Sequence, residues 1–169
     1  MHYKAVLERD ELNFEAHNNL GMLYKDKGLL DDAVREFQRA LFINTRCVRA
    51  RVNLGATRLQ MNRADEAAAE FRAALAIEPR NVDALVNLAL AQKASGQEQD
   101  VRGTLIRALT VDPHSAAAHY NLAVEYEASG EAARALDHYR AFLEYAGPES
   151  ASRAPVVRAR VDALSQRAK

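Results

Sequence analysis

The chain has 169 residues with 23 basic and 23 acidic side chains, so no net charge draws it to nucleic acid or to an anionic membrane, and a polypeptide partner is favoured. Cys47 is the only cysteine, which excludes an internal disulfide and reads as an inert thiol. No apolar run reaches the roughly 20 residues of a membrane-spanning helix, and Met1-His2-Tyr3-Lys4 does not open a signal peptide, so a soluble chain is expected, without membrane insertion and with the cytoplasm favoured.

In chain order, the tripeptides Asn19-Leu20-Gly21, Asn53-Leu54-Gly55, Asn87-Leu88-Ala89 and Asn121-Leu122-Ala123 recur every 34 residues. A period of that size marks stacked supersecondary units, none of which buries its apolar face alone. The frame divides the chain into residues 1–13, four repeats at 14–47, 48–81, 82–115 and 116–149, and a tail at 150–169. Tyr3, Val6 and Leu7 stand one period before Phe37, Ala40 and Leu41, so residues 1–13 read as the second helix of an incomplete repeat. Two explanations follow: the chain is part of a longer array, or that helix exposes a face for a partner.

Each repeat reads as a helical hairpin. Leu20, Gly21 and Tyr24 share one face of a helix expected over about residues 14–27, and Ala33, Phe37, Ala40 and Leu41 share one over about 31–44. The turn between them falls on Gly28, Asn62, Gly96 and Gly130, the two residue types that most readily take the left-handed conformation. Pro79 and Pro113 stop the second helices of repeats two and three. Small residues at Gly21, Gly55, Ala89 and Ala123 let paired helices approach, beside bulky Phe37, Phe71, Leu105 and Tyr139. Phe142 stands where the other repeats have Ala40, Ala74 and Ala108, which implies a different neighbour. Gly103, mid-helix, costs about 1 kcal/mol relative to alanine and makes repeat three the expected soft point. After Pro155, the stripe Val156, Val157, Val161 and Leu164 predicts an amphipathic helix capping the last repeat.

This pattern resembles the tetratricopeptide repeat family, through Leu20-Gly21, Tyr24, Gly28, Ala33, Phe37 and Ala40-Leu41 in repeat one and their equivalents. The resemblance implies an all-α, right-handed superhelical solenoid whose first helices line a concave groove. Its implied function is a protein-protein interaction scaffold that holds an extended or helical segment of a partner protein. Two alternatives stand beside it: a structural module that self-associates through residues 1–13 as a homo-oligomer, and the substrate-recruiting arm of a larger enzyme.

Asn19, Asn53, Asn87 and Asn121 are the main candidate contacts, each expected to project from a first helix. A carboxamide donates and accepts, so it can pair with a peptide unit whatever the peptide's side chain. With helices about 8–10 Å apart and an extended chain advancing about 3.3 Å per residue, one asparagine meets roughly every third residue of a threaded segment. The ladder resembles that in the tetratricopeptide superhelix of O-linked N-acetylglucosamine transferases, although no catalytic domain is recognised. The competing reading gives each asparagine a bond to a neighbouring helix or to water.

The same helical face adds Glu15, Asn18, Met22 and Lys25, then Arg49, Val52, Ala56 and Leu59, then Asp83, Val86, Leu90 and Lys93, then Tyr120, Val124 and Glu127. A carboxylate clamp of the kind that holds a chaperone tail is not matched, since in its frame only Asn53 fits among Asn18, Met22, Asn53, Asp83 and Asn87. Arg51 and Arg58 lie on the packing face of repeat two, either as charges that specify a neighbour or with stems over the core and heads beside a carboxylate. His2, His17, His114, His119 and His138 follow no metal-ligand spacing, and no phosphate loop or nucleophile elbow is present, so no metal, no cofactor and no enzyme activity are expected. Five lysines against 18 arginines, with abundant alanine, suit a GC-rich bacterial genome.

Overall fold

The computed structural model describes residues 11–150 and 152–167, all helix, turn or loop. The reading of residues 1–13 as a second helix falls almost wholly outside them. The helices are α1 (Phe14–Asp26), α2 (Leu30–Ile43), α3 (Val48–Gln60), α4 (Ala64–Ile77), α5 (Val82–Ala94), α6 (Glu98–Val111), α7 (Ala116–Ala128), α8 (Ala132–Tyr145) and α9 (Ala154–Arg167), with a 3-10 turn at Pro148–Ser150. By contacts the chain divides into two units, Met1–Gln97 and Glu98–Lys169, so the division falls inside the third 34-residue frame.

In the first unit, α1 pairs with α2 and α3 with α4, while α3 stacks on α2 and α5 on α4. The close approach within a pair has a steric cause. A Cβ at Gly21 would lie 2.7 Å from the Phe37 ring, and one at Gly55 would lie 2.7 Å from Phe71. Both rings are fully buried, and Ala33, Val34 and Leu54 complete the core around Phe37. Each hairpin turn closes on one backbone pattern. Gly28 takes φ 74° and Asn62 takes φ 60°, while Leu29 N–H donates to the Tyr24 carbonyl and Arg63 N–H to that of Arg58, each at 2.9 Å. Glycine adopts this conformation without a Cβ clash, and asparagine is the side chain that tolerates it best.

The first helices also begin alike. Asn13 and Asn81 accept from the N–H of Ala16 (2.8 Å) and Ala84 (2.9 Å), each capping its helix. Cys47 holds the equivalent place before α3 and forms no side-chain cap, leaving that helix start without the bond its neighbours have.

In the second unit, α6 packs on α7, α7 pairs with α8, and α9 packs on α8. Ser115 caps α7. Tyr139 and Phe142 of α8 are buried, and Phe142 meets the Tyr120 ring at 5.4 Å, the neighbour its size called for. The C-terminal stripe needs one correction. Val157 and Leu164 of α9 are buried, whereas Val156 is 61% exposed. The two buried residues are seven apart, two turns along one face, and Val156 is rotated about 100° from Val157.

Candidate functional site

Residues from α1, α3 and the start of α5 line a cleft of about 560 Å³ in the first unit. First helices lie beside one another there, α1 against α3 and α3 against α5. Of the predicted contacts, Asn19, Arg49, Val52 and Asn53 line this cleft, together with the buried Asn18. Around them stand Glu15, Glu78 and Asp83, so the rim carries more negative than positive charge.

The asparagines are already engaged in part. Asn53 Nδ2 donates to Asn18 Oδ1 at 3.0 Å, linking α3 to α1, and Asn18 Nδ2 lies 3.4 Å from Asn19 Oδ1 and 3.9 Å from Met22 Sδ. Asn87 Nδ2 donates to the Asp83 carbonyl at 2.9 Å, one turn back on its own helix. In the second unit Asn121 does the same to Ala117 at 2.8 Å. An amide nitrogen has two hydrogens and its oxygen two lone pairs, so each carboxamide keeps capacity for a further bond. Asn19, Asn53, Asn87 and Asn121 are all partly exposed.

The other predicted contacts divide by exposure. Met22, Leu90 and Lys93 are exposed and Lys25 is partly so, yet none of them lines the cleft. Val86 is 7% exposed and belongs to the core. It shares a slot with Asn18, Val52 and Tyr120, at intervals of 34, and this slot is closed to different degrees in the four repeats. In the second unit Tyr120 packs on Tyr139 and Phe142, with the Arg153 guanidinium 5.3 Å from its ring centre.

Sequence reading missed Cys47, Glu78 and Asn81 in the cleft wall. The signal was present in the series Asn13, Cys47, Asn81 and Ser115, one period apart and each just before a first helix. It also missed Asn18 as the joint between α1 and α3, because a buried carboxamide on an otherwise apolar slot has no periodic signature.

Ion pairs buttress the packing behind these helices. Arg51 Nη1 and Arg58 Nη1 both reach Glu70, at 3.3 and 2.9 Å, and Arg58 Nε lies 3.6 Å from Glu66. Both arginines therefore set their heads beside carboxylates of α4. In the second unit the buried Tyr139 donates its hydroxyl to Glu127 at 2.7 Å, and Arg160 of α9 donates to the same carboxylate oxygen at 2.7 Å. Burial first, then the hydrogen bond and charge of Glu127, push the Tyr139 phenol above the usual tyrosine range. The Ser129 hydroxyl, helped by Arg102 and Arg134, holds the Glu131 carboxyl below its usual range although burial opposes this.

Among the described residues no group of three or more histidine, cysteine or acidic side chains could hold a metal ion, and no helix is long and apolar enough to cross a membrane. The cleft itself is lined by amides, carboxylates, Arg49 and a few apolar side chains, suited to hydrogen bonding.

Comparison with known proteins places this geometry. A search of curated proteins finds no significant match. Among solved structures the chain is similar to MamA, at 24% identity, TM-score 0.74, 85% of this chain and 84% of that one. It is similar to YrrB, described as a TPR protein with an unusual peptide-binding site, at 19% identity, TM-score 0.72, 94% and 83%. It is also similar to TTC0263, a thermophilic TPR protein of Thermus thermophilus, at 18% identity, TM-score 0.78, 97% and 87%. The all-α helical repeat solenoid is thus the fold class. The tetratricopeptide repeat model matches residues 2–51, 52–100 and 102–151, most of the chain, and with that extent the chain belongs to the tetratricopeptide repeat family.

Proposed function

We propose that this protein-interaction scaffold holds an extended segment of a partner protein in the cleft between α1, α3 and the start of α5. The observation that carries the reading is the convergence of Asn19, Asn53, Arg49 and Val52 on one concavity of about 560 Å³. Amide groups offer main-chain pairing, Val52 an apolar contact, and Arg49 with Glu15 and Asp83 a charge pattern that selects among segments. Of these groups, Asn19 and Arg49 are the better test. Asn53 already ties α3 to α1, so removing it changes packing as well as recognition. YrrB, with the peptide-binding site ascribed to it, supports the reading by fold alone.

The test starts from a displayed peptide library panned against the full chain, followed by anisotropy titration of a selected peptide. Asn19→Ala combined with Arg49→Ala is expected to weaken that peptide at least tenfold, with a thermal midpoint within about 2 °C of the parent, since surface changes rarely move stability by more than about 0.5 kcal/mol. Equal affinity in the variant and the parent would refute the assignment.

A further inference from the structure

One pair of slots, 19 residues apart, joins the first helix of a hairpin to the second. In repeat one it holds His17 and Glu36, with Nδ1 2.6 Å from the carboxylate; in repeat two it holds Arg51 and Glu70 at 3.3 Å. In repeat four the slots hold His119 and His138, whose Nδ1 atoms lie 2.8 Å apart with no carboxylate between them. Two bases have replaced an acid and a base.

The protons of this pair follow from its neighbours. His119 Nε2 lies 3.0 Å from the Pro113 carbonyl, which can only accept, so that nitrogen carries hydrogen. Neutral His119 therefore offers a bare Nδ1, and His138 Nδ1–H is the donor. A first added proton is accommodated, because one of the two facing nitrogens still carries no hydrogen and accepts from the other. A second proton leaves an N–H on both facing nitrogens, so the bond is lost and two cations stand in contact.

The surroundings give little relief. From α7, the Tyr126 ring stacks on His138 at 5.5 Å and 10°. That ring already carries the Arg102 guanidinium of α6 at 4.9 Å and Arg134 of α8 at 5.5 Å. Tyr145 of α8 lies against His119 at 5.8 Å and against His114 at 4.5 Å. Asp112, before α7, accepts from the His114 N–H at 3.0 Å. Asp137 of α8 is the acid that favours charge on His138; burial first, then His119, outweigh it and hold His138 below the usual histidine range. Glu131 is paired with Arg102 and Arg134, the two cations on the Tyr126 ring.

We propose that His119 and His138 form an acid-sensitive latch between α7 and α8, closed with no more than one added proton and opened by the second. The sign follows from linkage. Because the folded state resists the proton on His138, the unfolded chain binds more protons below the ordinary value of 6.5. The latch therefore contributes fully above that value, and its contribution is lost as pH falls toward the folded value, by up to tenfold in the folding constant per pH unit. Repeats one and two have the opposite character, since each sets a base against a carboxylate, His17 against Glu36 and Arg51 against Glu70. The latch is independent of what the first unit binds.

The experiment is amide hydrogen exchange on the full chain at pH 7.5 and 5.5, corrected for intrinsic rates. Protection of α7 and α8 is expected to fall about tenfold, and that of α1–α4 less than twofold. His119→Arg with His138→Glu, which copies the pair of repeat two, should abolish the difference between the units. Equal loss in both units, or an unchanged acid response in the double variant, overturns the proposal. Should the double variant not fold, nitrogen-15 spectra of the parent decide. Proton on Nδ1 of one of the two rings at pH 7.5 and a depressed final titration support the latch; two independent titrations at the ordinary value exclude it.

Discussion

The two units answer the same packing problem with different chemistry. In the first, Gly21 and Gly55 give way to the fully buried rings of Phe37 and Phe71, so each contact is wholly apolar. In the second, Ala123 stands in the glycine slot and Tyr139 in the phenylalanine slot, and a buried hydroxyl must be satisfied. Glu127 satisfies it, and Arg160 of α9 balances Glu127. The C-terminal helix of the second unit thus completes a polar network at this slot, whereas the phenylalanine rings of the first unit carry no polar atom to satisfy. The brackets between first and second helices divide likewise, into His17–Glu36 and Arg51–Glu70 in one unit and His119–His138 in the other. A repeat keeps volume and spacing at such slots, and each copy is free to supply its own charges.

The comparison is broken most directly at the aromatic slot. Phe71→Ala is expected to destabilise by about 3–5 kcal/mol, since it empties a fully buried ring site, while Tyr139→Phe keeps the volume and costs about 1 kcal/mol for the lost hydrogen bond. Urea denaturation of both variants measures the difference, and equal costs would show that the hydroxyl network contributes as much as the packing. Next in size is Glu70→Ala, which removes the carboxylate shared by Arg51 and Arg58 and leaves Arg51 the Thr45 carbonyl and Arg58 the longer contact with Glu66. With these side chains only 13–23% exposed, a loss of about 2 kcal/mol is expected, below the full cost of a buried pair because water still reaches them. Denaturation at low and at high salt checks that figure. The smallest effect sharpens the contrast among the helix starts: Cys47→Asn supplies the cap that Asn13 and Asn81 already provide and should raise stability by about 1 kcal/mol, read as a higher thermal midpoint.

Much of the fold was legible because its causes are local and repeated. Four turn residues one period apart announce left-handed backbone, and the observed φ values of Gly28, Asn62, Gly96 and Gly130, between 60° and 78°, have that cause. The glycine and aromatic slots announced their contact, since only a missing Cβ lets a ring approach so closely. The candidate cleft was legible in part. Asn19, Arg49, Val52 and Asn53 could be named from helical spacing, but Val86 shares the slot of Val52 and is closed to solvent, while Val156 left the C-terminal stripe. Spacing assigns a residue to a face. How much of that face a neighbouring helix covers depends on side chains a whole repeat away.

By itself, the amino-acid order determined the period, the helical hairpins, the turns between them and the apolar slots, because each depends on backbone conformation and residue volume within a few turns of chain. Tertiary structure alone decided how the polar side chains pair: Asn53 with Asn18, Arg51 and Arg58 on Glu70, Tyr139 with Glu127, and His119 with His138. A hydrogen bond is set by distances of a few tenths of an ångström and by angle, and only the packing of one helix on the next brings donor and acceptor within that range.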